Sequence, residues 1–140
     1  MRKILTIATL LVVFIGCSRT DEYSSTDSSS NSSSQTTTTA VKMNVINAQN
    51  APKSGITVMM FKTKVVTNAP LPTIEKQVVS DANGLANFDL ESYITSNIPQ
   101  TYYFEAFTKQ GNNWVLVSTI HPEIQIKKGT QTKTSIIVNN

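Results

Sequence analysis

The stretch VVSDANGLANFDL, residues 78–90, sets two short runs of alternating apolar and polar residues on either side of Asp81-Ala82-Asn83-Gly84. Asp and Asn side chains bond their own backbone, and glycine enters positive φ without steric cost, so this tetrapeptide is a tight hairpin turn. Its flanks, EKQVVS and LANFDL, repeat with period two and are therefore strands. The pattern continues outward in both directions. VKMNVIN places Val41, Met43 and Val45 on one face. GITVMMFKTK sets Ile56, Val58, Met60 and Lys62 against Thr57, Met59 and Phe61, while TYYFEAFTK, NWVLVSTIH and TKTSIIVN supply three further strands. Gly55, Pro70, Pro72, Gly84, Pro99, Gly111 and Gly129 punctuate the gaps. Seven short strands at this spacing predict an all-β domain over residues 41–140, a seven-stranded antiparallel Greek-key β-sandwich. The one helix candidate is LESYITSNI, residues 90–98, as one or two turns before Pro99.

The N-terminal 40 residues are of another kind. Arg2 and Lys3 precede an uncharged run, Ile4 to Ile15, which has the layout of a secretory signal and is too short to span a bilayer. Gly16-Cys17 stands where cleavage is expected, and Cys17 is the only cysteine of the chain. Ile15-Gly16-Cys17 resembles a bacterial lipobox, although Phe14 replaces the leucine usual in that motif. The resemblance implies a signal peptide over 1–16, removed to leave Cys17 as a diacylated (palmitate-bearing) first residue that anchors the chain in a membrane. Ser18 after the cysteine implies sorting to the outer membrane, and Asp21-Glu22 resembles the acidic signal for export to the cell surface. From Cys17 to Ala40 the chain is Ser/Thr-rich with almost no apolar content, a composition that predicts a disordered tether. It would average roughly 25–30 Å end to end and reach about 75–80 Å fully stretched. With no cysteine beyond residue 17, the sandwich must rest on apolar burial and not on disulfides.

From Val41 onward nine lysines oppose six carboxylates, a balance of +3. Only Lys127 and Lys128 are adjacent, and no basic helix or aromatic–basic interleaving occurs, so the charge does not indicate nucleic acid. Scattered lysines on strands instead keep sheet edges soluble.

VINAQNAPKSGITVMMFKT, VVSDANGLANFDL and YYFEAF together resemble the transthyretin-like, carboxypeptidase-regulatory-like sandwich modules, over nearly all of residues 41–140. Gly55 and Val58, the Asp81–Gly84 turn with Phe88, and Tyr102, Phe104 and Ala106 fit the positions of that pattern. These are fold-keeping positions, so the resemblance implies architecture, and accessory or adhesive roles at the surface, without implying chemistry. A likeness to Cna-B-type sandwiches raises a Lys–Asn isopeptide bond from Lys42 to Asn139 with Glu105 as the promoting acid. Strand alternation turns Lys42 and Glu105 away from the core and argues against it.

No catalytic set is legible. His121 is the only histidine, no Gly-x-Ser-x-Gly elbow occurs, and neither a metal-ligand spacing nor a cofactor motif is present. Asp89 and Glu91 share a strand face, which suits solvated strand-end charges better than a carboxylate pair across a cleft. Asp81 and Asn83 begin like a calcium loop, but Gly84 comes too early for an EF-hand. A pocket uniting Asp89, Glu91 and His121 would favour a small envelope hydrolase. With Tyr102 and Phe104 inward, Tyr103 and Phe107 face out, and with Trp114 they form a candidate aromatic contact strip for a protein or glycan partner. The sequence therefore predicts a lipid-anchored, non-catalytic binding or accessory module of the envelope. The alternative is a structural surface or fimbria-like component that accepts a partner's strand at an open edge.

Overall fold

The structure, a computed structural model, describes residues 38–139. The signal segment, Cys17 and nearly all of the tether lie outside the described residues. Eight strands follow in order: β1 Ala40–Ile46, β2 Thr57–Phe61, β3 Ile74–Val79, β4 Leu85–Asp89, β5 Gln100–Gln110, β6 Asn113–Leu116, β7 Glu123–Ile126 and β8 Gln131–Ile137. The first sheet has the order β4-β1-β8, and the second β3-β2-β5-β6, with β7 also paired to β5. Connections pass repeatedly from one sheet to the other, which makes the two sheets one sandwich.

Period-two alternation builds the core. Val41, Met43 and Val45 of β1 and Tyr102, Phe104 and Ala106 of β5 are buried between the sheets, and Phe88 meets Phe104 edge-on at 5.2 Å. Burying such side chains stabilises by about 1.5–3 kcal/mol each. Strand β2 is buried along its whole length. Val58 and Met60 join this core, whereas Met59 and Phe61 join a second, smaller cluster with Phe107 on the outer face of the second sheet. An apolar run with both faces covered reads as near-continuous hydrophobicity, as TVMMF does.

The sandwich agrees with the sequence expectation, and four details differ. Strands β1 and β8 run parallel, from Ala40↔Gln131 to Ile46↔Ile137, because β8 reaches the first sheet by a corner from β7 in the second. Parallel neighbours need a long crossover, and here the six intervening strands provide it. Next, Asp81–Gly84 is a tight turn, with Gly84 N donating to Asp81 O at 2.9 Å, yet β3 and β4 separate into different sheets and do not pair as a hairpin. Asp81 Oδ1 accepts from both Asn83 N and Leu85 N at 2.8 Å, so the side chain supplies the bonds a hairpin ladder would have made. In the third place, LESYITSNI forms one isolated turn, in which Ile94 N donates to Leu90 O at 2.8 Å. Leu90 and Ile94 are both buried, so packing fixes that turn, and Pro99 lies too close for a helix to recover its nucleation cost.

The fourth difference is the eighth strand. NWVLVSTIH leaves the sheet after Leu116, and EIQI returns to it as β7, along the same side of β5 that β6 occupies. The pairs Phe107↔Leu116 and Tyr103↔Glu123 show that the two registers differ by three residues. The extra chain crosses to the first sheet, where Thr119 N donates to Ile137 O and Asn139 N donates to Val117 O, both at 2.8 Å. It rejoins β5 at Pro122, whose carbonyl accepts from Phe104 N at 3.0 Å. Proline has no N–H to offer the ladder, so the residue before β7 is a natural break.

Candidate functional site

Tyr103, Glu105 and Phe107 alternate along the outer face of β5, and the break between β6 and β7 falls opposite Glu105. Across that break the crossover brings Ser118 and His121 to the Glu105 carboxylate. Ser118 Oγ donates to Oε2 at 2.5 Å and accepts from Ala106 N at 3.2 Å. His121 Nδ1 lies 2.9 Å from Oε1 and 2.8 Å from Oε2, which directs its N–H to the carboxylate and leaves Nε2 outward. Glu105 is 4% exposed, whereas the His121 side chain is 57% exposed. A buried carboxylate is costly unless its lone pairs are occupied, and here two side chains occupy them.

A cleft of about 280 Å³ opens beside this cluster, between Lys64 and Val65 of the 62–73 segment and Tyr103, Leu116 and Glu123. Lys64 Nζ is 3.1 Å from Glu123 Oε2 and 5.4 Å from the centre of the Tyr103 ring. The hydrogen bond to Glu123 holds the Lys64 ammonium above its ordinary pKa. The cleft is small for a ligand pocket, and its charged groups already satisfy one another.

The expected aromatic strip is only partly at the surface. Tyr103 and Trp114 are half-buried, and Lys109 Nζ lies 5.6 Å from the centre of the Trp114 ring. Phe107 faces outward from β5 as expected, but it is 1% exposed. Phe61 meets it edge-on at 6.2 Å, and Val65 of the 62–73 segment packs on the same cluster. Phe107 is therefore part of a second core and offers no contact surface. The sequence gives little warning of this, because the covering segment contains two prolines and reads as an ordinary loop.

Asp89 and Glu91 lie at the far end of β4, beside Ala40, Lys42 and Gln131 of the first sheet. Glu91 Oε2 accepts from Thr39 N at 2.6 Å, and this backbone bond holds its carboxyl below the usual carboxylate range. His121 belongs to the outer face of the second sheet, so the pocket that would have joined these three residues does not form. Lys42 and Glu105 likewise occupy the outer faces of opposite sheets. With sheets packed ~10 Å apart, the Lys42–Asn139–Glu105 arrangement of an isopeptide bond is geometrically excluded. Among the described residues no group of three or more His, Cys, Asp or Glu side chains is placed to hold a metal ion.

The Ser118–Glu105–His121 cluster has no motif of its own, though one cue to it exists. Gly111-Asn112 forms a two-residue turn with Gly111 at φ 59°, and it pairs Gln110 with Asn113. Continuing that register places Ser118 opposite Glu105.

No family model matches the chain, and no curated protein matches it. Among solved structures it is similar to a streptococcal ancillary pilin, with 14% identity over 74% of this chain and 33% of that one, at a TM-score of 0.46. It is also similar to BcpA, the major pilin subunit of Bacillus cereus, with 14% identity over 74% and 30% of the two chains at a TM-score of 0.44. GBS52, the minor pilin of Streptococcus agalactiae, matches with 13% identity over 74% and 46% at 0.43. The matched region is less than half of each pilin.

Proposed function

We propose that this chain is a lipid-anchored protein of the cell envelope, held at the outer membrane through Cys17, whose β-sandwich serves as a non-catalytic structural or accessory module at the cell surface. One observation supports the non-catalytic part above all. In the cluster with the most chemical potential, the carboxylate sits at the centre and both Ser118 and His121 bond to it. A hydrolytic triad instead needs the imidazole between nucleophile and acid, so that it can take the nucleophile's proton. The cluster ties the crossover to β5, which is work for the fold. The Ser/Thr-rich tether suits a module held away from a lipid surface, and the transthyretin-like resemblance belongs to the same proposal.

Glu105→Gln separates this function from a catalytic one. A glutamine keeps one acceptor oxygen, carries no charge, and obliges either Ser118 or the His121 Nδ1 to turn from donor to acceptor. Hydrogen bonds to a charged group contribute about 1.5–3 kcal/mol, so Glu105→Gln should lower the melting temperature clearly in a circular dichroism scan. An unchanged melting curve would mean that the cluster does not hold the fold, and the proposal would lose its support.

A further inference from the structure

The first sheet ends in an edge that the rest of the described chain leaves unpaired. Backbone direction along β8 follows from the bonds at its two ends. Thr130 O accepts from Ala40 N at 3.0 Å and Val138 N donates to Ile46 O at 2.9 Å, so even-numbered residues address β1. Ile137 O and Asn139 N address the crossover on the other side. The β1–β8 register runs without a slip from Gln131 to Ile137. It follows that the N–H and C=O groups of Gln131, Lys133 and Ser135 point away from β1, where no strand among the described residues meets them.

Two other edges carry devices that discourage an added strand. On β4, Asp81 takes both backbone groups of Leu85, its Oδ1 accepting from Leu85 N at 2.8 Å and its N donating to Leu85 O at 3.0 Å, and Lys76 Nζ donates to Asp89 O at 3.5 Å. On β3, a register irregularity opposite Met60/Phe61 bends the strand, and Lys76 sits on the side that β2 gives to the core. Bulges and inward charges are the usual means of blunting an edge. From Gln131 to Ser135 the β8 edge has neither and only the outward Lys133 guards it, while the crossover covers its far end at Ile137.

We propose that this edge binds a second copy of the same chain, β8 against β8 in antiparallel fashion, with the two-fold axis passing between the paired Thr132 residues. A symmetric antiparallel pair must oppose odd-numbered residues to odd-numbered ones, which leaves three centres within the open edge. An axis at Lys133 sets the two Lys133 ammonium groups against each other, beside the Lys42 that already stands opposite Lys133 in β1. Like charges directly opposite one another are destabilising. An axis at Thr134 brings Gln131 of the second copy onto Ile137, whose edge Thr119 already occupies. An axis at Thr132 avoids both conflicts. It opposes each Gln131 to a Lys133 in a hydrogen-bonded pair, four backbone bonds in all, and faces Thr132 with Thr132 in a non-hydrogen-bonded pair. The result is a continuous six-stranded sheet of order β4-β1-β8-β8-β1-β4. A contact this short is weak in solution and gains from the high local concentration of chains tethered to one surface.

The register makes the test specific. Directly opposed Cα atoms in a non-hydrogen-bonded pair lie ~4.5 Å apart, within the range a disulfide spans. In the full chain carrying Cys17→Ser, kept in detergent, Thr132→Cys should form a covalent dimer under mild oxidation at high protein concentration. Lys133→Cys should remain monomeric. Reduced samples of both should melt like the parent. Sedimentation of the Cys-free parent should show a concentration-dependent dimer that Lys133→Pro abolishes, since proline is tolerated where the N–H leaves the sheet. A Thr132→Cys chain that stays monomeric, cross-linking that is as strong at residue 133, or a dimer indifferent to Lys133→Pro would each overturn the proposal.

Discussion

Gly84→Ala offers the sharpest test of how the turn and the first sheet are joined. Gly84 has φ +73°, and a Cβ built there lies 2.7 Å from Val45 O, 2.9 Å from Pro52 Cβ and 3.0 Å from Lys53 N. The left-handed conformation alone costs an alanine about 1–2 kcal/mol. The steric conflict adds to this, because two of the three obstructing atoms are backbone and cannot swing aside. Relief requires a shift that weakens Val45 N donating to Gly84 O at 2.7 Å and Lys53 N donating to Val45 O at 2.9 Å. At about 1 kcal/mol for each bond, the total is about 3–4 kcal/mol. For a domain near a hundred residues this corresponds to a fall of roughly 15–25 °C in Tm. Gly55→Ala is the matched control, with the same φ of +73° and nothing within 4 Å of its Cβ. It should cost only the conformational ~1–2 kcal/mol. Thermal unfolding followed at the β-sheet circular dichroism band measures both. Equal losses at the two sites would refute the close approach of Gly84 to β1.

Two further outcomes are expected. Glu91→Gln should lower stability at neutral pH, and the difference from the parent should shrink as the pH falls below about 4. The Thr39 bond depresses the folded-state pKa, so its contribution is present above the unfolded value and lost as pH falls through the folded one; a gap that is constant from pH 7 to pH 2 would contradict this. Cys17→Ser should abolish incorporation of radiolabelled palmitate and leave unprocessed or mislocalised precursor, and label persisting in the variant would remove the anchor from the proposed function.

Much of the sandwich could be read from residue alternation. VKMNVI and YYFEAF show their inner and outer faces directly, whereas the coverage of both faces of β2 emerges only in the structure. What alternation cannot convey is which strand lies beside which. Strand β8 looks like any half-polar strand in isolation, and its parallel pairing with β1 depends on every connection before it. The eighth strand was within reach, because EIQI alternates and Pro122 interrupts the run before it, but NWVLVSTIH carries enough β-branched residues to read as one strand. Phe107 was assigned to the correct face of β5 and the wrong environment. Period two fixes the side on which a residue lies and says nothing of a loop that folds over that side. The Glu105 cluster was legible only in half: the Gly111-Asn112 turn register sets Ser118 opposite Glu105, but a further three-residue difference in register is what brings His121 to the same carboxylate.

The parallel pairing of β1 with β8 also bears on how the chain reaches its destination. Residues opposed in that pair are 91 positions apart, as in Ala40 and Gln131. The first strand to emerge from a ribosome or a secretion channel thus waits for one of the last, and until then β1 lacks its neighbour in the middle of a three-stranded sheet. Contacts of such long sequence separation fold slowly, since loop closure precedes any gain from burial. A chain moving through a membrane N-terminus first would stay largely unfolded and threadable for most of its passage. Its sandwich would close only after β8 is released on the far side, so for a chain exported as proposed above the topology would itself delay folding until passage is nearly complete.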